Sequence, residues 1–145
     1  MTETTTQRVF PTDPKEVAKE TLRLIRLNWD RFDMGTWCAL GPEDEVEPNG
    51  DFCGTTMCSA GWTVYAAGWK IKNVLARFGE GGEWVAMAVS PVDGREYNIP
   101  EAAREILDLR ADQTFWFASE ETALDRLQAI ADGHPVSNYR GHEVF

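Results

Sequence analysis

Three cysteines, Cys38, Cys53 and Cys58, are the side chains of this 145-residue chain with the most distinctive chemistry. Zinc takes four thiolate or imidazole ligands in a tetrahedron. The three thiols could form such a site if His134, His142 or Asp51 supplied the fourth donor. The spacing argues against it. Fourteen residues separate the first two cysteines and four separate the second two, whereas structural zinc sites usually bring two short-spaced pairs. A nucleophilic thiolate is a second use. Cys53 precedes an expected helix N-terminus, whose dipole lowers a thiol pKa. No general base stands near it in sequence, and both histidines lie close to an irregular C-terminal stretch. The third use is packing, because a free cysteine behaves as a small buried hydrophobe. A Cys38–Cys53 or Cys53–Cys58 disulfide is the fourth. Without an export signal, reduced thiols are expected. Packing is the reading adopted, with no catalytic residue, metal or cofactor assigned.

Carboxylates form the other chemical group. Residues 41–51, GPEDEVEPNGD, carry five acids, two prolines and two glycines. The segment lacks the alternating ligands, sixth-position glycine and twelfth-position glutamate of a calcium loop, so it reads as a solvated excursion. Glu43, Asp44, Glu45 and Glu47 are candidate partner contacts. No two carboxylates are singled out as a glycosidase pair. The glycine-rich stretch 79–82 lacks a phosphate-loop pattern and reads as a hairpin turn. Phe115, Trp116 and Phe117 lie about 100° apart if helical, so one of them must face outward. Trp116 joins the acidic residues as the candidate contact surface.

The elements that position these groups follow from periodicity. Asp13-Pro14 opens a first helix, with Asp13 as cap and Val17, Thr21, Leu24, Ile25 and Asn28 on its apolar stripe, widened by Leu22 and Trp29. Residues 53–68, CGTTMCSAGWTVYAAG, contain no charge. They predict a buried helix over about 55–67, capped by Thr55 or Thr56 and stopped by Gly68. Residues 69–78 and 83–90 are strand-like, and 95–99 adds a third short strand after the turn at 91–94. Lys70 and Lys72 share one face of the first strand. Pro100 begins a helix, with Asn98 or Ile99 just before it. Residues 111–118 predict a short helix, and Ser119 caps a last one ending near Asp132. The expected architecture is α+β: one compact domain over 13–133, with a buried central helix, a small antiparallel meander over about 69–99 and surrounding amphipathic helices. Residues 1–12 read as a flexible lead-in and 134–145 as an irregular tail.

Composition narrows the function. There are 14 basic and 24 acidic residues, a formal charge of −10, and 43% of residues are apolar. That core fraction excludes global disorder. The mean field repels nucleic acid and anionic lipid, so no direct nucleic-acid or membrane partner is expected. No apolar run approaches the roughly 18 residues of a membrane span. The N-terminus has no secretory h-region, which points to the cytoplasm.

The pair FDMGTWC at 32–38 and CGTTMCSAGW at 53–62 resembles a group of small uncharacterised bacterial and bacteriophage proteins sharing a Cys-Gly-Thr-x-x-Cys-x-x-Gly-[Trp/His] element. The stretches AAREILDLRADQTFWFAS and ALDRLQAIADG also resemble that group. The chain departs from it at Trp62, where many relatives carry His, and at Leu109, where a Gly-Leu unit would end a helix. With its tryptophan and its acidic loop, the chain looks most like proteins of phages that infect actinobacteria. The resemblance implies an origin and carries no activity. The resulting expectation is a non-enzymatic module acting on a host protein in the cytoplasm. A Cys-dependent enzyme and a structural zinc protein are alternatives. A DNA mimic is another, although mimicry needs a contiguous field of one sign and here bases interleave with the acids.

Overall fold

The computed structural model describes residues 10–36, 38, 45–48, 56–76 and 83–134. The first helix, α1, spans Pro14–Leu27. Proline at its first position has the right φ and lacks only a hydrogen that would be unbonded there anyway. Asp13 holds the N-cap position, but its side chain makes no capping bond. Its carbonyl accepts from Val17 N–H at 2.9 Å. Val17, Ala18, Thr21, Leu22, Leu24 and Ile25 are buried. Trp29 lies beyond the end of α1 and is 52% exposed, so it does not widen the stripe as expected.

Helix α2, Ser59–Ala66, is the centre of the molecule, and all eight of its residues are buried. It begins later than the sequence predicts. Cys58 is the N-cap, and Thr56 lies outside the helix. The cause is Met57. Its N–H donates to Arg31 O at 3.0 Å and its carbonyl accepts from Asp33 N–H at 3.0 Å. It forms bridges to both Phe32 and Cys38. That pairing holds Met57 extended, so the helix starts only after it. Trp62 Nε1 donates to the same Arg31 carbonyl at 3.1 Å. The two segments that carry the resemblance, 32–38 and 53–62, are thus stitched together around Met57.

Gly68 ends this region with φ +87°, the left-handed conformation that glycine adopts without penalty. The Phe10 ring lies directly on it, so a Cβ there would meet ring carbons at 2.5 Å. The lead-in is therefore docked from Phe10 onward.

The sheet has order β1-β2-β3-β4 and is antiparallel throughout. Its strands are β1 Glu45–Val46, β2 Lys70–Ala76, β3 Glu83–Val89 and β4 Glu96–Asn98. The meander of β2, β3 and β4 follows the expected pattern. Strand β1 was expected as solvated loop. Val46 is only 2% exposed, and burying it draws this acidic segment onto the sheet edge.

Asn98 precedes α3, Ile99–Ile106, and Ser119 precedes α4, Glu120–Ala131. Ser119 Oγ accepts from Thr122 N–H at 3.2 Å, the expected capping bond. Residues 111–118 do not form a helix. Only Ala111–Gln113 makes a single 3-10 turn, closed by Arg110 N–H on Gln113 Oε1 at 2.8 Å. Residues 114–118 run on as a turn that buries the adjacent Phe115 and Trp116 and leaves Phe117 outside.

Helix α2 packs against α1, α3 and β2; α3 lies on β3 and β4; α1 packs against α4. One contiguous apolar cluster joins these elements. This is an α+β fold in which the helices cover one face of the sheet.

Candidate functional site

The cysteine segment comes first. Cys58 is 1% exposed and Cys38 half-buried, and neither is disulfide-bonded. Burial pushes the Cys58 thiol above its ordinary pKa, although Gly61 and Ala60 N–H groups pull the other way. A thiol held protonated and inaccessible is a poor nucleophile. Cys53, Asp51 and His142 lie outside the described residues. His134 is exposed beside Lys15 and Leu107, just past α4. Among the described residues no group of three His, Cys, Asp or Glu could hold a metal ion.

Of the acidic candidates, Glu43 and Asp44 lie outside the described residues. Glu45 and Glu47 are exposed and both reach Lys70 Nζ, at 2.9 and 3.2 Å. The hydrogen bond from Lys70 is the main cause holding the Glu45 carboxyl below its ordinary range. The bonds to Glu45 and Glu47 in turn raise the Lys70 ammonium. Lys72 pairs with Glu96 at 2.9 Å. The same alternation runs through Glu16–Lys19, Glu20–Arg23 and Glu101–Arg104. These carboxylates are interleaved with bases, so they form no one-sign field.

The aromatic candidate requires a correction. Trp116 is 3% exposed and Phe115 fully buried, while Phe117 is 83% exposed. The outward residue of the triplet is therefore Phe117, and Trp116 is not a surface contact. The non-helical turn allows two adjacent rings, with centroids 4.5 Å apart, to enter the core together. Trp116 Nε1 is buried and finds no acceptor among the described residues. Trp116 and Phe117 line an open groove of about 280 Å³ with Asn98, Pro100 and Arg104.

The sheet presents a surface that the sequence reading did not single out. Register places Ile71, Ala88 and Val46 on the helix-facing side. The opposite side carries Val74, Val85, Met87 and Val89, with Lys70 and Lys72 beside them. All four apolar residues are half-buried, and no described helix packs over them. A sheet with one solvated face normally places polar residues outward. The signal was present in WVAMAV, where apolar residues occupy both parities and leave no polar face.

The class these features define is a small α+β domain with a sealed helical interior and an apolar, ion-pair-framed outer sheet face. Comparison with protein families, with curated proteins and with solved structures gives no match. No helix among the described residues is long and apolar enough to cross a membrane.

Proposed function

We propose that this chain is a non-enzymatic binding module that acts on a protein of a host cell, in that cell's cytoplasm. The observation that carries the reading is the outer sheet face. Val74, Val85, Met87 and Val89 form an apolar stripe on a surface that normally alternates to polar residues. Glu45, Glu47, Lys70, Lys72 and Glu96 frame it with charges of both signs. An apolar centre with a polar rim is the anatomy of a protein interface. The buried Cys58, whose thiol burial holds above its ordinary pKa, supports a packing role for that thiol. The interleaved ion pairs favour a protein surface over DNA mimicry. The host assignment rests on the resemblance of the 32–38 and 53–62 segments to phage proteins.

The test is capture from actinobacterial lysate on the immobilised full chain, in parallel with a Val85→Glu/Met87→Glu variant. A discrete host protein retained by the parent and lost from the variant, with both melting at the same temperature, is the expected result. Nothing retained above bare resin, or equal retention by both, contradicts the reading.

A further inference from the structure

One ion pair crosses the outer sheet face. Lys72 lies on β2 and Glu96 on β4, yet Lys72 Nζ reaches Glu96 Oε2 at 2.9 Å. Strand β3 runs between them. Neighbouring strands lie about 4.8 Å apart, so the two stems together bridge about 10 Å. Register fixes what lies beneath. Lys72 is opposite Met87, and Glu96 is opposite Val89. Opposed residues of an antiparallel pair share a face, so all four side chains point outward. The bridge therefore passes over β3 between Met87 and Val89. A lysine stem can lie along apolar surface while its ammonium stays in water. Met87 and Val89 are half-buried on a face that no described helix covers, and the crossing pair supplies such cover.

Lys72 has a second carboxylate beside it. Its register partner on β1 is Glu45. The hydrogen bond from Lys70 is the main cause holding the Glu45 carboxyl low, and the Lys72 charge adds to it. Lys70 bonds Glu47 at 3.2 Å as well as Glu45 at 2.9 Å, so it keeps a partner when Lys72 takes Glu45. The Lys72 ammonium thus has two stations, one on each side of its strand. At Glu96 its stem lies over β3. At Glu45 the stem lies toward β1, and Met87 and Val89 are uncovered. Exchange between the two costs little, because ion pairs at a surface are weak.

We propose that the Lys72–Glu96 pair is an autoinhibitory strap over Met87 and Val89, and that Lys72 moving to Glu45 opens the apolar stripe to the partner protein. The closed state hides two of the four apolar residues of the outer face. Val74 and Val85 are opposite one another one row beyond the strap. The inference rests on the reading of this face as the binding surface and specifies what controls access to it.

The probe is hydrogen peroxide on the full chain. It converts an accessible methionine thioether to the sulfoxide, and mass spectrometry after digestion reads each methionine separately. Met34, half-buried against the core outside the sheet, is the internal control. Glu96→Gln and Glu45→Gln each remove one negative charge and keep the side-chain shape, but they take away different stations. Glu96→Gln should raise the Met87 oxidation rate and Glu45→Gln should lower it, each by up to about fivefold, the weight of one surface ion pair. The Met34 rate should stay the same in both. In a Lys72→Gln chain neither carboxylate substitution should change the Met87 rate. Met87 rates that move in the same direction in the two variants, or that do not move, overturn the proposal. So does a Met34 rate that rises with Met87, which is loosening of the whole fold, or a carboxylate effect that persists in Lys72→Gln. Glu96→Gln should also retain more host protein than the parent, and Glu45→Gln less. If host protein is captured through Val85 and Met87 while the Met87 rate ignores both carboxylates, the binding module stands and the strap is wrong. If the Met87 rates split as expected and neither the parent nor Glu96→Gln retains a host protein, the strap stands and the binding-module reading is contradicted.

Discussion

Helix α2 and the β2–β3 hairpin adjoin in sequence and are both rich in apolar residues, yet the fold uses them differently. Every residue of α2 is buried, and its aromatic contacts are internal, with the Trp62 and Tyr65 rings meeting edge to face at 5.8 Å. Among the described residues of its two strands, the hairpin fully buries only Ile71 and Ala88. Leu75 and Trp84, opposite one another in register, are 39% and 41% exposed. Apolar residues in α2 hold the molecule together. Those at the outer face and far end of the hairpin exceed what the interior requires, and that surplus is the basis of the proposed binding surface.

Substitutions sharpen that contrast. Trp62→Ala should have the largest effect, a loss of about 3–5 kcal/mol in urea unfolding, because it opens a cavity in the centre of the core. Gly68→Ala should cost about 1–3 kcal/mol in the same assay, through its positive φ and the clash with Phe10. Adding Phe10→Ala should recover the clash part of that loss and leave the φ part. Val85→Thr, on the outer sheet face, should change stability by less than about 0.5 kcal/mol. A Val85 effect as large as that of Trp62 would erase the distinction between the two regions.

The smallest effect concerns pH. The folded pKa of Glu45 is lowered, so its contribution is present above the ordinary carboxylate range and is lost as pH falls through the lowered value. The folded pKa of Lys70 is raised, so its contribution is present below the ordinary lysine range and is lost as pH rises through the raised value. The pair is intact between these limits. Amide exchange at Val46 should therefore quicken at the acid end, and Glu45→Gln should remove that acid step.

The helical interior was legible in the sequence for a simple reason: sixteen consecutive uncharged residues have nowhere to go but inside. Gly68, Ser119 and the Asn98–Pro100 junction were legible because each residue type solves a local backbone problem. Other features depended on distant partners. Strand β1 was hidden because Glu45 and Glu47 look solvated until Lys70 and Lys72 are folded beside them. The late start of α2 was hidden because Met57 is held extended by Arg31, Asp33 and Cys38, which no local rule anticipates. Trp116 and Phe117 exchanged places because the segment turns where a helix was expected. Of the acidic contact candidates, Glu45 and Glu47 sit on the rim of the outer sheet face. Its apolar centre was signalled by the unbroken apolar run WVAMAV, but strand register was needed to say which of those residues face outward.

The claim most open to direct test is that α2 is a sealed interior and Cys58 is there for packing. In a Cys38→Ser/Cys53→Ser chain, iodoacetamide labelling of Cys58 can be followed at pH 8 across a urea titration. Labelling should be negligible in the folded protein and should rise in step with the globally unfolded fraction. Labelling without urea at the rate of a free cysteine would contradict the account.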